Sequence, residues 1–235
     1  MSRLRIAIKS FNLDSIDQIT QTISAEDLAD LNMRERDETP LELLAKKTHN
    51  SIIQYAKLQM PEAVMQAAKA AILFSIELCQ RLIILGADLS SLNVIGTIPM
   101  QLLHDDEIGA FRRYSASDTA RIPDLYNEAL DLSNKLFDSF IKTEIVGIQG
   151  HRERTILLYA AWSGDVYLIN KILDIGGIDL LTIADSKGYT PLILLATKIS
   201  NLEIEVSEIN ADARAMLEDM ILILGEQGAL ASEGV

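Results

Sequence analysis

Residues 154–193 read RTILLYAAWSGDVYLINKILDIGGIDLLTIADSKGYTPLI, and this stretch decides the fold. Thr155-Ile156-Leu157 opens an apolar turn, and Ala160-Ala161 are small enough to let a second helix approach closely. Gly164-Asp165 breaks the first helix; Val166, Ile169, Ile172 and Leu173 then recur at helical spacing until Gly176-Gly177 stops the second. An irregular arm passes Asp185 and Gly188 and reaches Thr190-Pro191-Leu192, where the pattern begins again 35 residues after Thr155. Thr190 can cap the next helix with its hydroxyl, and Pro191 stands at a first helical position, where a missing N–H costs nothing. Gly188 suits a turn residue with positive φ.

A helix, a tight turn, an antiparallel helix and a projecting turn, repeated at about 33 residues, form the ankyrin pattern, and on these residues the chain resembles the ankyrin-repeat family. The resemblance implies an all-α solenoid of about five units with elongated helices and insertions. It also implies a single domain over 1–235, with units near 1–32, 33–91, 92–148, 149–184 and 185–235. Arg3 to Ile23 reads as a short helix, a turn at Phe11-Asn12 and a second helix with Ile16, Ile19 and Ile23 on one face, which suits a capping unit. Ser24 to Asp37 takes the place of the first arm.

Thr39-Pro40-Leu41 opens the second unit and Ile98-Pro99-Met100 the third, with Gly96 in the place of Gly188. The interval is 59 residues, so about 26 surplus residues need a place. Leu41, Leu44, Thr48, Ile52, Tyr55 and Gln59 follow helical spacing, as do Val64, Ala68, Ala71, Ser75, Leu78, Leu82 and Leu85. Two long antiparallel helices, about 40–59 and 62–85, are expected in preference to an extra helix pair, and a break near Phe74 would reverse that choice. In the next interval, His104 to Arg121 lacks a sustained apolar period and reads as an irregular excursion, followed by a helix from Leu125 to about Lys142. The last unit starts at Thr190, carries an insertion from Ile199 to Val206, and resumes as a helix with Met216, Met220 and Leu224 that ends near Gly228-Ala229-Leu230; Ala231 to Val235 should fray. Where the family usually has a histidine that hydrogen-bonds between units, this chain has Glu42, Gln101, Leu158 and Ile193. The two C-terminal interfaces should therefore be drier.

With 49% apolar residues the chain can bury a substantial core without metals or cross-links. The lone Cys79, among apolar neighbours, reads as an inert core thiol compatible with a reducing compartment. No run approaches the length of a membrane span, and Met1 to Asp14 shows no secretory block, so a cytoplasmic location is expected. The net charge of −13 disfavours nucleic acid, because a phosphate backbone repels an acidic surface. Lys46-Lys47, Arg112-Arg113 and His151-Arg152-Arg154 are short basic spots that read as solvated faces.

No phosphate loop, HExxH, paired Cys-x-x-Cys or nucleophile elbow is present, so no catalytic residues, cofactor or metal are expected and the chain reads as non-enzymatic. His104-Asp105-Asp106-Glu107 cannot converge on one ion, and His49, His104 and His151 read as solvated groups at turns or arms. The resemblance places a partner-binding groove on Leu43, Lys46 and Lys47; Leu102, Asp105 and Asp106; Tyr159, Trp162 and Ser163; and Leu194, Thr197 and Lys198. Leu43, Leu102, Tyr159, Trp162 and Leu194 would form an apolar row with the only tryptophan near its centre. Alternatively, inserted segments cover this row and it is core. The arms offer a second surface: Arg34, Glu35, Arg36 and Glu38; Asn93 and Val94; His151, Arg152 and Glu153; Ser186, Lys187 and Tyr189.

The implied function is protein–protein interaction, with no nucleic acid, membrane span or small-molecule substrate. The irregular units and the isoleucine content are similar to ankyrin proteins of intracellular bacteria that are delivered into host cells. An immunity protein neutralising a basic toxin, and an enzyme with an unfamiliar site, are the competing expectations.

Overall fold

The structure is a computed structural model describing residues 2–35, 38–57, 61–89, 95–105, 111 and 124–232, with side chains for all of these except 124 and 224–232. The described residues form twelve α-helices and no strand, so the fold is all-helical. They divide into two compact units, one of residues 2–111 with 124–141 and the other of residues 142–232. No described helix is long and apolar enough to cross a membrane.

In the first unit, α1 (Arg3–Ser10) and α2 (Leu13–Gln21) form the expected pair. The Ser2 hydroxyl accepts from the Arg5 N–H, Phe11 closes α1 in the left-handed region, and the Asn12 side chain caps α2. The segment expected as a plain arm instead contains α3 (Ala25–Asp30). Ser24 accounts for it: its hydroxyl accepts from the Asp27 N–H, and Glu26 and Asp27 complement the helix dipole in the first turn. Arg36 and Asp37 lie outside the described residues.

The helix α4 (Pro40–Lys57) opens on a capping box. Thr39 Oγ1 accepts from the Glu42 N–H at 3.2 Å, and the Glu42 carboxylate accepts from the Thr39 N–H at 2.7 Å. The helix α5 (Glu62–Ile84) runs unbroken for 23 residues through Phe74, about 35 Å at ~1.5 Å per residue, so the surplus is taken up by elongation. Residues 58–60, including Gln59, are outside the described residues. The helix α6 (Ile98–His104) starts one residue earlier than the Ile98-Pro99-Met100 alignment implies: Thr97 is its cap residue and Pro99 its second position. The helix α7 (Asp124–Phe140) completes the unit.

The centre of this unit is α4, which packs on α1, α5, α6 and α7. A helix surrounded on several sides buries a wide arc, and that corrects the reading of His49. It lies in mid-helix with no exposure, its Nε2 sharing a hydrogen bond with Ser133 Oγ at 2.9 Å and its ring edge-on to Phe111 and Phe137. His104 and His151 are exposed, as read. Cys79 is fully buried beside Thr48, and burial pushes its thiol pKa up to about 12, which keeps it protonated and inert.

Two of the positions singled out for a polar link do form one. Gln101 Nε2 donates to Glu42 Oε1 at 3.1 Å and to the Gly96 carbonyl at 2.7 Å, while Arg34 donates twice to the Glu42 carboxylate. Their counterparts in the second unit are apolar, with Leu158 fully buried and Ile193 half-buried.

The second unit comprises α8 (Thr143–Val146), α9 (Ile156–Ser163), α10 (Val166–Gly176), α11 (Pro191–Ser200) and α12 (Ala211–Ser232). Each boundary follows from local chemistry. Thr155 Oγ1 accepts from the Leu158 N–H, Gly164 closes α9 at φ 72°, Asp165 caps α10 through the Leu168 N–H, and Thr190 caps α11 through the Ile193 N–H with Pro191 as its first residue. A Cβ at 164 would be strained by that φ alone, which is why the turn between α9 and α10 takes glycine. Leu157, Ala160 and Ala161 are fully buried where α9 meets α10 and α11; each buried Leu or Ile contributes roughly 1.5–3 kcal/mol. Two boundaries shift from expectation. Ile199 is buried within α11, so the connection begins at Asn201, and α12 continues past Leu230 to Ser232 because Gly228 does not interrupt the helix.

Candidate functional site

In the second unit an open trough of about 440 Å³ lies along α11 and the arm that precedes it. Trp162 of α9, Leu194, Thr197 and Lys198 of α11, Lys187 and Tyr189 of the arm, Arg154 and Glu203 line it. It brings together four of the groove residues expected from sequence, Trp162, Leu194, Thr197 and Lys198, with two of the arm residues, Lys187 and Tyr189.

The remaining expected residues are placed differently. Tyr159 is 9% exposed, and burial pushes its hydroxyl pKa up against the opposing effect of Arg154, so it underlies the surface rather than forming it. Leu102 is 4% exposed and belongs to the core of the first unit; Leu43 and Asp105 are half-buried there and Lys46 is exposed. Of the residues expected in the apolar row, Leu102 and Tyr159 are thus buried, each within its own unit. Asp106, Asn93 and Val94 lie outside the described residues.

Arg154, read from sequence as part of a solvated basic spot, organises the trough. Its guanidinium lies 5.0 Å from the Trp162 ring centroid and 5.8 Å from that of Tyr159, and its Nε donates to Asp185 Oδ2 at 3.4 Å. The carboxylate fixes the cation, and the cation fixes the indole. Trp162 is nevertheless 53% exposed and Tyr189 48% exposed, so their open faces point to solvent. The signal in the sequence was spacing: Arg154 stands just before the Thr155 cap, and the aromatics follow five and eight residues later on one side of α9.

The arm is built by Asp185. Its Oδ1 accepts from the Lys187 and Tyr189 N–H groups at 2.9 and 3.0 Å, its own N–H donates to the Tyr189 carbonyl, and Gly188 takes φ 84°. Burial raises the Asp185 pKa, but these hydrogen bonds and Arg154 outweigh it and hold the carboxyl below the usual aspartate value. Lys198 donates to Glu203 Oε2 at 2.5 Å, and its Nζ and Cδ lie 3.7 and 3.8 Å from where a Cβ on Gly164 would stand.

Immediately before Arg154 the backbone is strained. Arg152 and Glu153 both adopt left-handed conformations, at φ 59° and 60°, each costing roughly 1–2 kcal/mol in a residue with a side chain. The turn is held from outside by the Ser186 N–H on the Arg152 carbonyl and the Gln149 side chain on the Glu153 carbonyl. Two successive positive-φ residues are the geometry that Asn-Gly adopts cheaply. Arg152→Asn with Glu153→Gly is expected to raise stability by about 1 kcal/mol, read as a higher urea midpoint at unchanged slope; a decrease would show that the native side chains relieve the strain.

A second concavity of about 350 Å³ in the first unit is lined by Phe11, Tyr55, Ala68, Ala71 and Ile72 with Asn50, Ser51 and Gln54. Among the described residues its lining is mostly apolar and includes no charged group. A scan of protein-family models matches none of them to this chain, and a search of the curated proteins likewise finds no match.

Proposed function

We propose that the chain is a non-enzymatic, ankyrin-like stack of helix pairs that binds another protein through the trough of its second unit. The ankyrin-like part of this reading is supported by the recurring order of Thr cap, helix, left-handed glycine, second helix and Asp-built arm at Thr155, Gly164 and Asp185, resumed at Thr190. One observation carries the binding part. The chain's only tryptophan stands half in solvent, yet its ring is held in place by an arginine whose own carboxylate partner is buried. A large aromatic fixed in an open, polar-rimmed trough is the form that binding hot spots take.

Trp162→Ala tests the reading. Because half of the indole is already exposed, the melting temperature is expected to stay within a few degrees of wild type. Loss of a hot spot, at 2 kcal/mol or more, corresponds to at least about thirtyfold weaker capture of a partner. Capture by wild type and variant alike, or a collapse of stability on substitution, would sink the proposal; the second result would assign Trp162 to the core.

A further inference from the structure

We infer that the partner enters the trough as a short acidic segment, its carboxylates meeting Lys187 and Lys198 beside Arg154 and one aromatic or aliphatic side chain lying against Trp162, Tyr189 and Leu194. This rests on the binding reading above and adds the chemistry of the occupant.

Charge is the first argument. Residues 142–235 carry seven Lys and Arg against fourteen Asp and Glu, yet three of the seven line this one trough, with Glu203 the single carboxylate among its described lining residues. Lys187 is exposed and makes no ion pair among the described residues. Glu203 is half-exposed on its side chain, so an incoming carboxylate can displace it from Lys198. Arg154 is only 13% exposed and tied to Asp185; it orients the indole and supplies positive potential without having to move. The acidity of the rest of the surface does not cancel this. At physiological salt, charges more than about 8 Å away are largely screened, whereas the trough cations act at contact. A basic segment, such as a cationic toxin domain would present, meets the like charge of Lys187 and finds Glu203 already paired with Lys198.

Shape is the second argument. Sites for compact small molecules bury roughly 70–90% of their ligand. Here both aromatics keep about half their surface in solvent, and the lining runs from the helix surface on to the arm, which suits a length of chain lying across it. The apolar centre and charged rim then divide the work: the anchor side chain gains burial against Trp162 and Leu194, and the flanking carboxylates set which segments are accepted.

The test uses the full chain panned against a random-peptide display library, with the Trp162→Ala chain as counter-target. Enriched peptides are expected to carry two or more Asp or Glu around one aromatic or aliphatic residue. A synthetic peptide of the enriched sequence should shift the emission of Trp162, which reports this trough alone because no other tryptophan exists. Lys187→Glu combined with Lys198→Glu, with helicity checked by circular dichroism, should weaken its affinity on the order of tenfold, and raising NaCl from about 0.05 to about 0.5 M should weaken it as well. Enrichment of neutral or basic peptides that the Trp162→Ala chain fails to bind would overturn the acidic inference and leave the binding reading standing. Failure to enrich any peptide, or enrichment of the same peptides on the Trp162→Ala chain, would overturn both. A ten-nucleotide thymidine strand that binds more tightly than the best peptide would overturn the inference in favour of a nucleic-acid partner.

Discussion

Arg5→Met is expected to lower stability by about 3–5 kcal/mol, the usual cost of removing one partner from a buried ionic cluster. Arg5 is only 2% exposed. Its Nε donates to Asp30 Oδ2 at 3.2 Å, Nη1 to the Glu38 carbonyl at 3.1 Å and Nη2 to the Met33 carbonyl, with Glu35 Oε2 at 3.6 Å. One guanidinium thus joins α1 to the end of α3 and to the backbone that leads into the Thr39 cap. Methionine fills similar length but donates nothing, so two carbonyls and the Asp30 carboxylate lose a charged donor together. Lysine is not a substitute, because a single ammonium cannot span three acceptors set around a planar fork. Arg5→Lys should recover less than half of the loss. Urea unfolding followed by far-ultraviolet circular dichroism measures both, and a loss below about 1 kcal/mol for Arg5→Met would mean that water satisfies these acceptors.

Asp185→Ala has the second largest expected effect, about 2–4 kcal/mol, and it reaches function as well as stability. The side chain has no exposure and serves three donors at once: the Lys187 and Tyr189 N–H groups and the Arg154 guanidinium. Its removal frees the arm that presents Lys187 and Tyr189 and releases the cation that holds Trp162, so capture of the partner should fail together with stability. Asp185→Asn keeps an acceptor for the two N–H groups and loses the ion pair, so it should cost about 1 kcal/mol.

The same carboxylate makes a pH prediction. Its folded pKa lies below the unfolded value of about 3.9, so its contribution is fully present above that pH and is lost as pH falls through the lower, folded value. Wild type should therefore lose more stability than Asp185→Asn between about pH 4 and pH 2. Glu128, held low chiefly by hydrogen bonds from Lys69 and Tyr55, and Asp27, where bonds from Ser24, Arg3 and the Leu4 N–H outweigh burial, act in the same direction in both proteins. The difference between the two curves isolates Asp185, and parallel curves would show that its carboxyl is not held low.

Much of the fold was legible from sequence because the signals are local. Thr155, Gly164, Asp165, Gly177 and Thr190 each act on backbone within a few residues, so a reader of the sequence sees the whole interaction. The continuity of α5 through Phe74 was equally local, since no breaker stood in its way. The trough was half legible. Trp162, Leu194, Thr197 and Lys198 were implied by the ankyrin resemblance, but Arg154 was misread as a solvated charge because its partner Asp185 lies 31 residues away.

What the sequence determined by itself, then, is where most of the helices start, stop and turn, α3, the start of α6 and the ends of α11 and α12 excepted. Only the tertiary structure decided which members of a helical face meet another helix and which meet water. His49 is buried because Ser133 and Phe137 of α7 arrive from more than 80 residues later, and Arg5 is buried because carbonyls at Met33 and Glu38 fold back on to it. Tyr159 and Trp162 differ by one helical turn, yet one lies beneath the surface and the other on it. Burial depends on contacts distant along the chain, and helical periodicity carries no information about which neighbour will come.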